Sequence, residues 1–136
     1  MKETKVAFVC VHNSCRSQIA EALAKKYGLD ILEVYSAGTE VKSKINQDGV
    51  RLIKKIYGID MEKNQKTKLI SDIPPVDYLI TMGCNVSCPI MSYKFQKEDW
   101  GLEDPTGKSD EEFIKTITLI EDKVLNLIER VKRKSF

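Results

Sequence analysis

The chain has 136 residues, 42% hydrophobic and 31% charged, with a net charge of +2. That length suits a single domain with a real core, and so small a charge gives no argument for nucleic acid or a membrane surface as partner. The apolar run Val6 to Val9 is too short for a signal peptide, and no segment approaches the ~20 apolar residues of a membrane span, so a cytoplasmic location is expected.

The pattern predicts a first strand over about residues 5–9, then a helix over 17–27 with Ile19, Leu23 and Tyr27 on one face and Gly28 as its stop. A second strand over 32–36 is closed by Ala37-Gly38. A second helix over 46–57 carries Val50, Ile53 and Tyr57 and ends at Gly58. After Pro74-Pro75, a third strand is expected over 78–82 and a short fourth near 93–95. The last helix is announced by Ser109 and Glu112 as a capping box. Its stripe of Phe113, Ile117, Ile120, Val124, Leu127 and Val131 is core packing at helical spacing. No repeat, low-complexity segment or linker divides residues 1–136. Alternating strands and helices imply an α/β fold, a parallel sheet with helices on both faces. Ligands of such sheets bind at the carboxyl ends of strands.

Cys10-Val11-His12-Asn13-Ser14-Cys15-Arg16-Ser17 occupies that place, between the first strand and the first helix. A helix N-terminus offers unpaired N–H groups and a positive partial charge. A loop curling into it can aim several amides at one tetrahedral oxyanion, and Arg16 adds a planar fork for two of its oxygens. The same field favours a thiolate at Cys10. Ser17 can hydrogen-bond the Cys10 sulfur or cap the helix. The plainer alternative is a buried cysteine followed by an unrelated surface arginine; the strand–turn–helix context favours the functional reading. His12 is left out of the catalytic set, because the loop amides must point inward and its side chain outward.

Cys84 and Cys88 follow the third strand and would share the cleft if that strand lies beside the first. Positions i and i+4 share a helical face, so a modest rearrangement lets the pair bridge. Redox chemistry, two inert buried cysteines and a zinc site all remain open at this point. In Trp100-Gly101-Leu102-Glu103-Asp104-Pro105, Asp104 or Glu103 can protonate a leaving oxygen, or the Asp-Pro pair is only a turn. Trp100 reads as a core or hinge anchor.

Cys10 to Ser17 with Gln18-Ile19-Ala20-Glu21, Tyr35 to Gly38, Thr81 to Pro89 and Asp99 to Pro105 resemble the low-molecular-weight tyrosine phosphatase superfamily, and within it the thioredoxin-coupled arsenate reductases. The resemblance implies a single-domain, three-layer α/β/α fold with a central four-stranded parallel sheet. It implies arsenate, with phosphate or sulfate as analogue, bound by Val11, His12, Asn13, Ser14, Cys15, Arg16 and Ser17. It implies catalysis by Cys10, Arg16, Cys84, Cys88 and Asp104, a Cys84–Cys88 relay disulfide reduced by thioredoxin, and a monomer. Cys15 is given a structural role. No tightly bound cofactor is implied. Some relatives bind potassium beside the loop, and Asn13, Glu21 and Ser36 match part of that site, although residues 65–68 supply no acidic side chain to complete it. The relay pair is more closely spaced than in the best-known relatives, and Gly83 stands where some of them have the first relay cysteine. The alternative within the superfamily is a phosphatase that hydrolyses aryl phosphates through a Cys10 phosphoenzyme. Against it, Thr106-Gly107-Lys108 replace the aromatic residues that follow the Asp-Pro pair in such phosphatases. Flavin modules of similar topology use hydroxyl-rich phosphate loops, not Cys with Arg.

Overall fold

The computed structural model describes residues 4–40, 44–83 and 95–134. Strand β1 (Thr4–Cys10) leads into helix α1 (Arg16–Gly28), followed by β2 (Leu32–Gly38) and α2 (Gln47–Tyr57). A one-turn helix α3 (Met61–Asn64) and a 3-10 turn (Ile70–Asp72) precede β3 (Tyr78–Thr81), β4 (Gln96–Asp99) and the long α4 (Asp110–Lys134). The strands form one parallel sheet in the order β2-β1-β3-β4, the α/β architecture expected from the sequence.

β1 lies inside the sheet, and Val6 to Val9 have no exposed surface. A strand covered on both faces needs an unbroken apolar run, which is what the sequence supplies. On one face, Val6, Phe8 and Ile80 pack with Ile19 and Leu23 of α1 and with Phe113, Ile117, Ile120, Val124 and Leu127 of α4. On the other, Ala7, Val9, Val76 and Leu79 meet Tyr35, Ile70, Ile73 and Phe95. Asn46 caps α2 by accepting from the Gly49 N–H at 3.0 Å. The Ser109 hydroxyl receives the Glu112 N–H at 3.3 Å, the serine half of the expected capping box.

The fourth strand is displaced from its expected position. It runs over Gln96–Asp99 rather than near 93–95; Phe95 is outside it, and Tyr93 lies outside the described residues. Among the described residues β4 pairs only with β3. An edge position asks little apolar surface of a strand, so a polar Gln-Lys-Glu-Asp segment can fill it while an aromatic neighbour draws the sequence reading away.

β1 pairs with β2 on one side and β3 on the other, so the chain reverses its direction of winding between β1 and β3. That point is where ligands bind in open parallel sheets. Val9 stands opposite Thr81. Cys10 and the chain leaving β3 therefore open on the same end of the sheet.

Candidate active site

The loop after β1 is shaped by two close approaches. Asn13 adopts φ 52°, a left-handed conformation that asparagine tolerates better than most residues. Gly38, at the end of β2, lies so near the loop that a Cβ there would stand 2.8 Å from the Val11 carbonyl and 2.9 Å from the Asn13 nitrogen. The Glu40 N–H donates to the Val11 carbonyl at 2.8 Å, which ties the loop to the chain after β2. α1 then starts at Arg16 with no side-chain cap and no acidic residue in its first turn. Its N-terminal amides are left to face an anion.

Cys10 is 4% exposed, and its sulfur lies 2.9 Å from the Ser17 hydroxyl. Asn13 Oδ1 accepts from the Lys68 backbone N–H at 2.9 Å, which fixes the orientation of the amide. Asn13 Nδ2 therefore faces Ser17 Oγ and donates to it at 2.9 Å. The hydroxyl, engaged there as an acceptor, keeps its one proton to donate, and either atom of the Ser17–Cys10 pair can be the donor. Gln18 supports the loop from beneath, donating to the carbonyls of Asn13 at 2.9 Å and Lys66 at 3.0 Å. Gln65 donates in turn to Gln18 Oε1 at 2.7 Å.

Arg16 is also buried. Its Nη1 donates to the carbonyls of Met82 at 3.0 Å and Leu102 at 2.5 Å, at the ends of β3 and β4. Those two segments touch: a Cβ on Gly83, which has φ 101°, would come within 2.9 Å of the Gly101 Cα. Trp100 packs on Phe8 with ring centroids 5.4 Å apart, and its indole donates to Glu98 at 2.8 Å. It is a core anchor, as expected. Glu98 is gripped through both oxygens by Arg130 of α4, which holds its carboxyl below the ordinary value.

A cavity of about 220 Å³ opens over the loop, lined by Cys10, Val11, His12, Ser14, Cys15, Arg16 and Asp104. Liquid water takes about 30 Å³ per molecule, so a tetrahedral oxyanion and attendant waters fit. Asp104 accepts from the Thr106 N–H at 3.1 Å and hydroxyl at 2.7 Å, and this turn carries the carboxyl to the cavity. The His12 ring lies 3.2 Å from Glu40 on the exposed rim. Burial, with the charges of Asp104 and Cys10 adding to it, pushes the Cys15 thiol up to about 12, so Cys15 is a neutral group on the cavity wall it shares with Cys10.

Six of the seven lining residues, Cys10, Val11, His12, Ser14, Cys15 and Arg16, lie in the loop read from the sequence. Ser17 and Asn13 stand behind Cys10 rather than on the cavity wall. Cys84 and Cys88 lie outside the described residues. The sequence reading gave no site role to Lys68, Gln65, Gly38 or Thr106: it took Ala37-Gly38 as a strand terminator and part of the resemblance, residues 65–68 only as lacking an acidic side chain, and Thr106 only as standing where phosphatases carry an aromatic residue.

A further group surrounds Glu21, which is 3% exposed. Its carboxylate accepts from Ser36 and Lys25, and the Lys68 ammonium lies 3.7 Å from Oε1. Burial lowers the Lys68 ammonium from its ordinary value, and Glu21 opposes that shift.

The arsenate reductase of Staphylococcus aureus (strain Newman) is 33% identical over 137 residues, spanning 98% of this chain and all of that protein. A solved structure described as an arsenate reductase in the phosphate binding state matches with TM-score 0.82 and 34% identity, covering 94% of this chain and 98% of that one. A thioredoxin-dependent arsenate reductase from Corynebacterium glutamicum matches with TM-score 0.80 and 31% identity, over 97% of this chain and 63% of that one. Residues 5–135 match the low molecular weight phosphotyrosine protein phosphatase family, and the chain belongs to it.

Proposed function

We propose that this chain is a cytoplasmic, monomeric arsenate reductase that works through a relay of three sulfurs and is regenerated by thioredoxin. Reduction rather than hydrolysis is favoured by one relationship. The strand carrying Cys10 lies beside the strand that leads into Cys84, with Val9 opposite Thr81. A phosphatase needs no thiol there, since water completes its second step.

Arsenate is held by the loop amides and the remaining N–H groups of Arg16. The Cys10 thiolate, hydrogen-bonded by Ser17, attacks the arsenic, and Asp104 protonates the departing oxygen so that it leaves as water. The Cys84 thiolate then attacks the Cys10 sulfur. A Cys10–Cys84 disulfide forms, and the electron pair of the broken sulfur–arsenic bond stays on arsenic, which leaves as arsenite. Cys88 attacks Cys84, freeing the Cys10 thiolate, and a thioredoxin dithiol reduces the Cys84–Cys88 disulfide. Each exchange is a thiolate attack on sulfur, whose rate depends on reach as well as on ionisation.

Arsenate-dependent oxidation of reduced thioredoxin tests the scheme. Cys10→Ser is expected to abolish it. Cys84→Ser and Cys88→Ser are expected to abolish multiple turnover. Full multiple turnover in both relay variants would overturn the relay; absence of arsenate-dependent oxidation, with efficient hydrolysis of an aryl phosphate that needs neither Cys84 nor Cys88, would make the protein a phosphatase instead.

A further inference from the structure

Glu21 is a nearly buried carboxylate that oxyanion chemistry does not use. A cation site at Asn13, Glu21 and Ser36 would draw its negative charge from Glu21 alone. That charge is already matched: the Lys25 ammonium sits 2.5 Å from Oε2 and the Ser36 hydroxyl donates to Oε1, while Asn13 Oδ1 holds the Lys68 N–H. Lys68 brings a second ammonium 3.7 Å from Oε1 on a side chain only 19% exposed. Among the described residues no buried side-chain nitrogen or oxygen lacks a partner. Two ammonium groups already face the one carboxylate, so a further monovalent cation would meet repulsion there. These residues do not fit a potassium ion.

We propose that the Lys68 ammonium is a built-in cation that does the work of a bound monovalent ion, bracing the oxyanion loop without one. Lys68 is joined to the loop by its backbone on both sides. Its N–H fixes Asn13, and its carbonyl accepts from Gly38 N–H at 2.8 Å, where the loop passes closest. The ion pair with Glu21 anchors that peptide to α1, and Ser36 anchors Glu21 to β2. Lys68 is thus a positioning residue, acting on Cys10 through Asn13 and Ser17.

The test is thermal unfolding of the full chain in equal concentrations of potassium, sodium and tetramethylammonium chloride, for the wild type, Lys68→Asp and Lys68→Ala. The wild type is expected to melt at one temperature in all three salts. Each variant is expected to melt lower in tetramethylammonium, with potassium restoring at least half of the loss. A potassium-specific rise in the wild type would overturn the proposal. So would two folded variants that both ignore potassium; if Lys68→Asp does not fold, Lys68→Ala decides alone. The readout involves no arsenate, so its failure leaves the proposed reaction untouched, and failure of the reaction leaves this inference standing.

Discussion

Asn13 donates its side-chain amide to the Ser17 hydroxyl at 2.9 Å, and that bond leaves the hydroxyl proton for the Cys10 sulfur, 2.9 Å away. A thiolate can only accept, so in the proposed attack the bond runs from the hydroxyl to the sulfur. The opposite end of the Asn13 amide is held by the Lys68 peptide. A hydrogen bond to a charged group contributes about 1.5–3 kcal/mol. Ser17→Ala is therefore expected to slow alkylation of Cys10 by iodoacetamide at neutral pH by about tenfold to a hundredfold. Asn13→Ala should act in the same direction, and the double variant should lose less than the two effects combined, since both remove one contact.

In the proposed reaction Asp104 acts in the chemical step rather than in anion binding. Asp104→Asn keeps the size of the side chain and removes the transferable proton. Single-turnover reduction of arsenate should fall by about 10²–10⁴-fold, while inhibition by phosphate is retained within a fewfold. Loss of phosphate affinity in parallel with rate would instead make Asp104 a loop-folding residue.

Gly38→Ala places a methyl group against three backbone atoms: the Glu40 carbonyl at 2.7 Å, the Val11 carbonyl at 2.8 Å and the Asn13 nitrogen at 2.9 Å. None of them is a flexible side-chain tip, so the loop itself must move. Urea denaturation should show a loss of about 1–3 kcal/mol, the usual range for overpacking. Turnover should fall further than stability does, because the displaced atoms belong to the oxyanion cradle.

The Cys15 thiol is pushed up to about 12 from an ordinary 9.0, first by burial and then by the Asp104 charge. A raised value makes a stability contribution that is whole below 9.0 and is lost as pH climbs toward about 12. Stability measured from neutral to strongly alkaline pH should therefore fall more steeply for the wild type than for Cys15→Ala. At pH 8 the folded protein should be alkylated at Cys10 and spared at Cys15. Equal labelling of the two would remove the neutral, structural role.

Glu98 shows the reverse dependence. The paired Arg130 guanidinium, with the Trp100 indole adding to it, holds its carboxyl below 4.5. That contribution is present above pH 4.5 and is lost as pH drops through the lowered value. Acid unfolding should be steeper in the wild type than in Glu98→Gln. The Arg130 side chain is 40% exposed, so solvent screening keeps the difference to about 1 kcal/mol or less.

The sequence made β1, α1 and α4 legible because each obeys a single periodicity, and it made the loop legible because its residues are contiguous. Phe113 to Val131 is buried where the helical stripe puts it. β4 could not be read, since Gln96 to Asp99 gain their strand character from the β3 backbone and not from their own side chains. The part Lys68 plays could not be read for a different reason: 55 residues separate it from Asn13, and only tertiary folding brings its peptide to the loop. Helix α3 is one turn long, too short for any stripe to repeat.

Arg16 commits one nitrogen to the carbonyls of Met82 and Leu102, and in the proposed reaction its other N–H groups take the anion. A guanidinium is one flat, rigid plate, so fastening one corner fixes the direction of the others. The same plate is a strut between two strand ends and a gripping surface, and the grip keeps its aim when no anion is present. A lysine at this position would carry the same charge but, with three donors on a freely turning tip, could not hold the strut and the aim together.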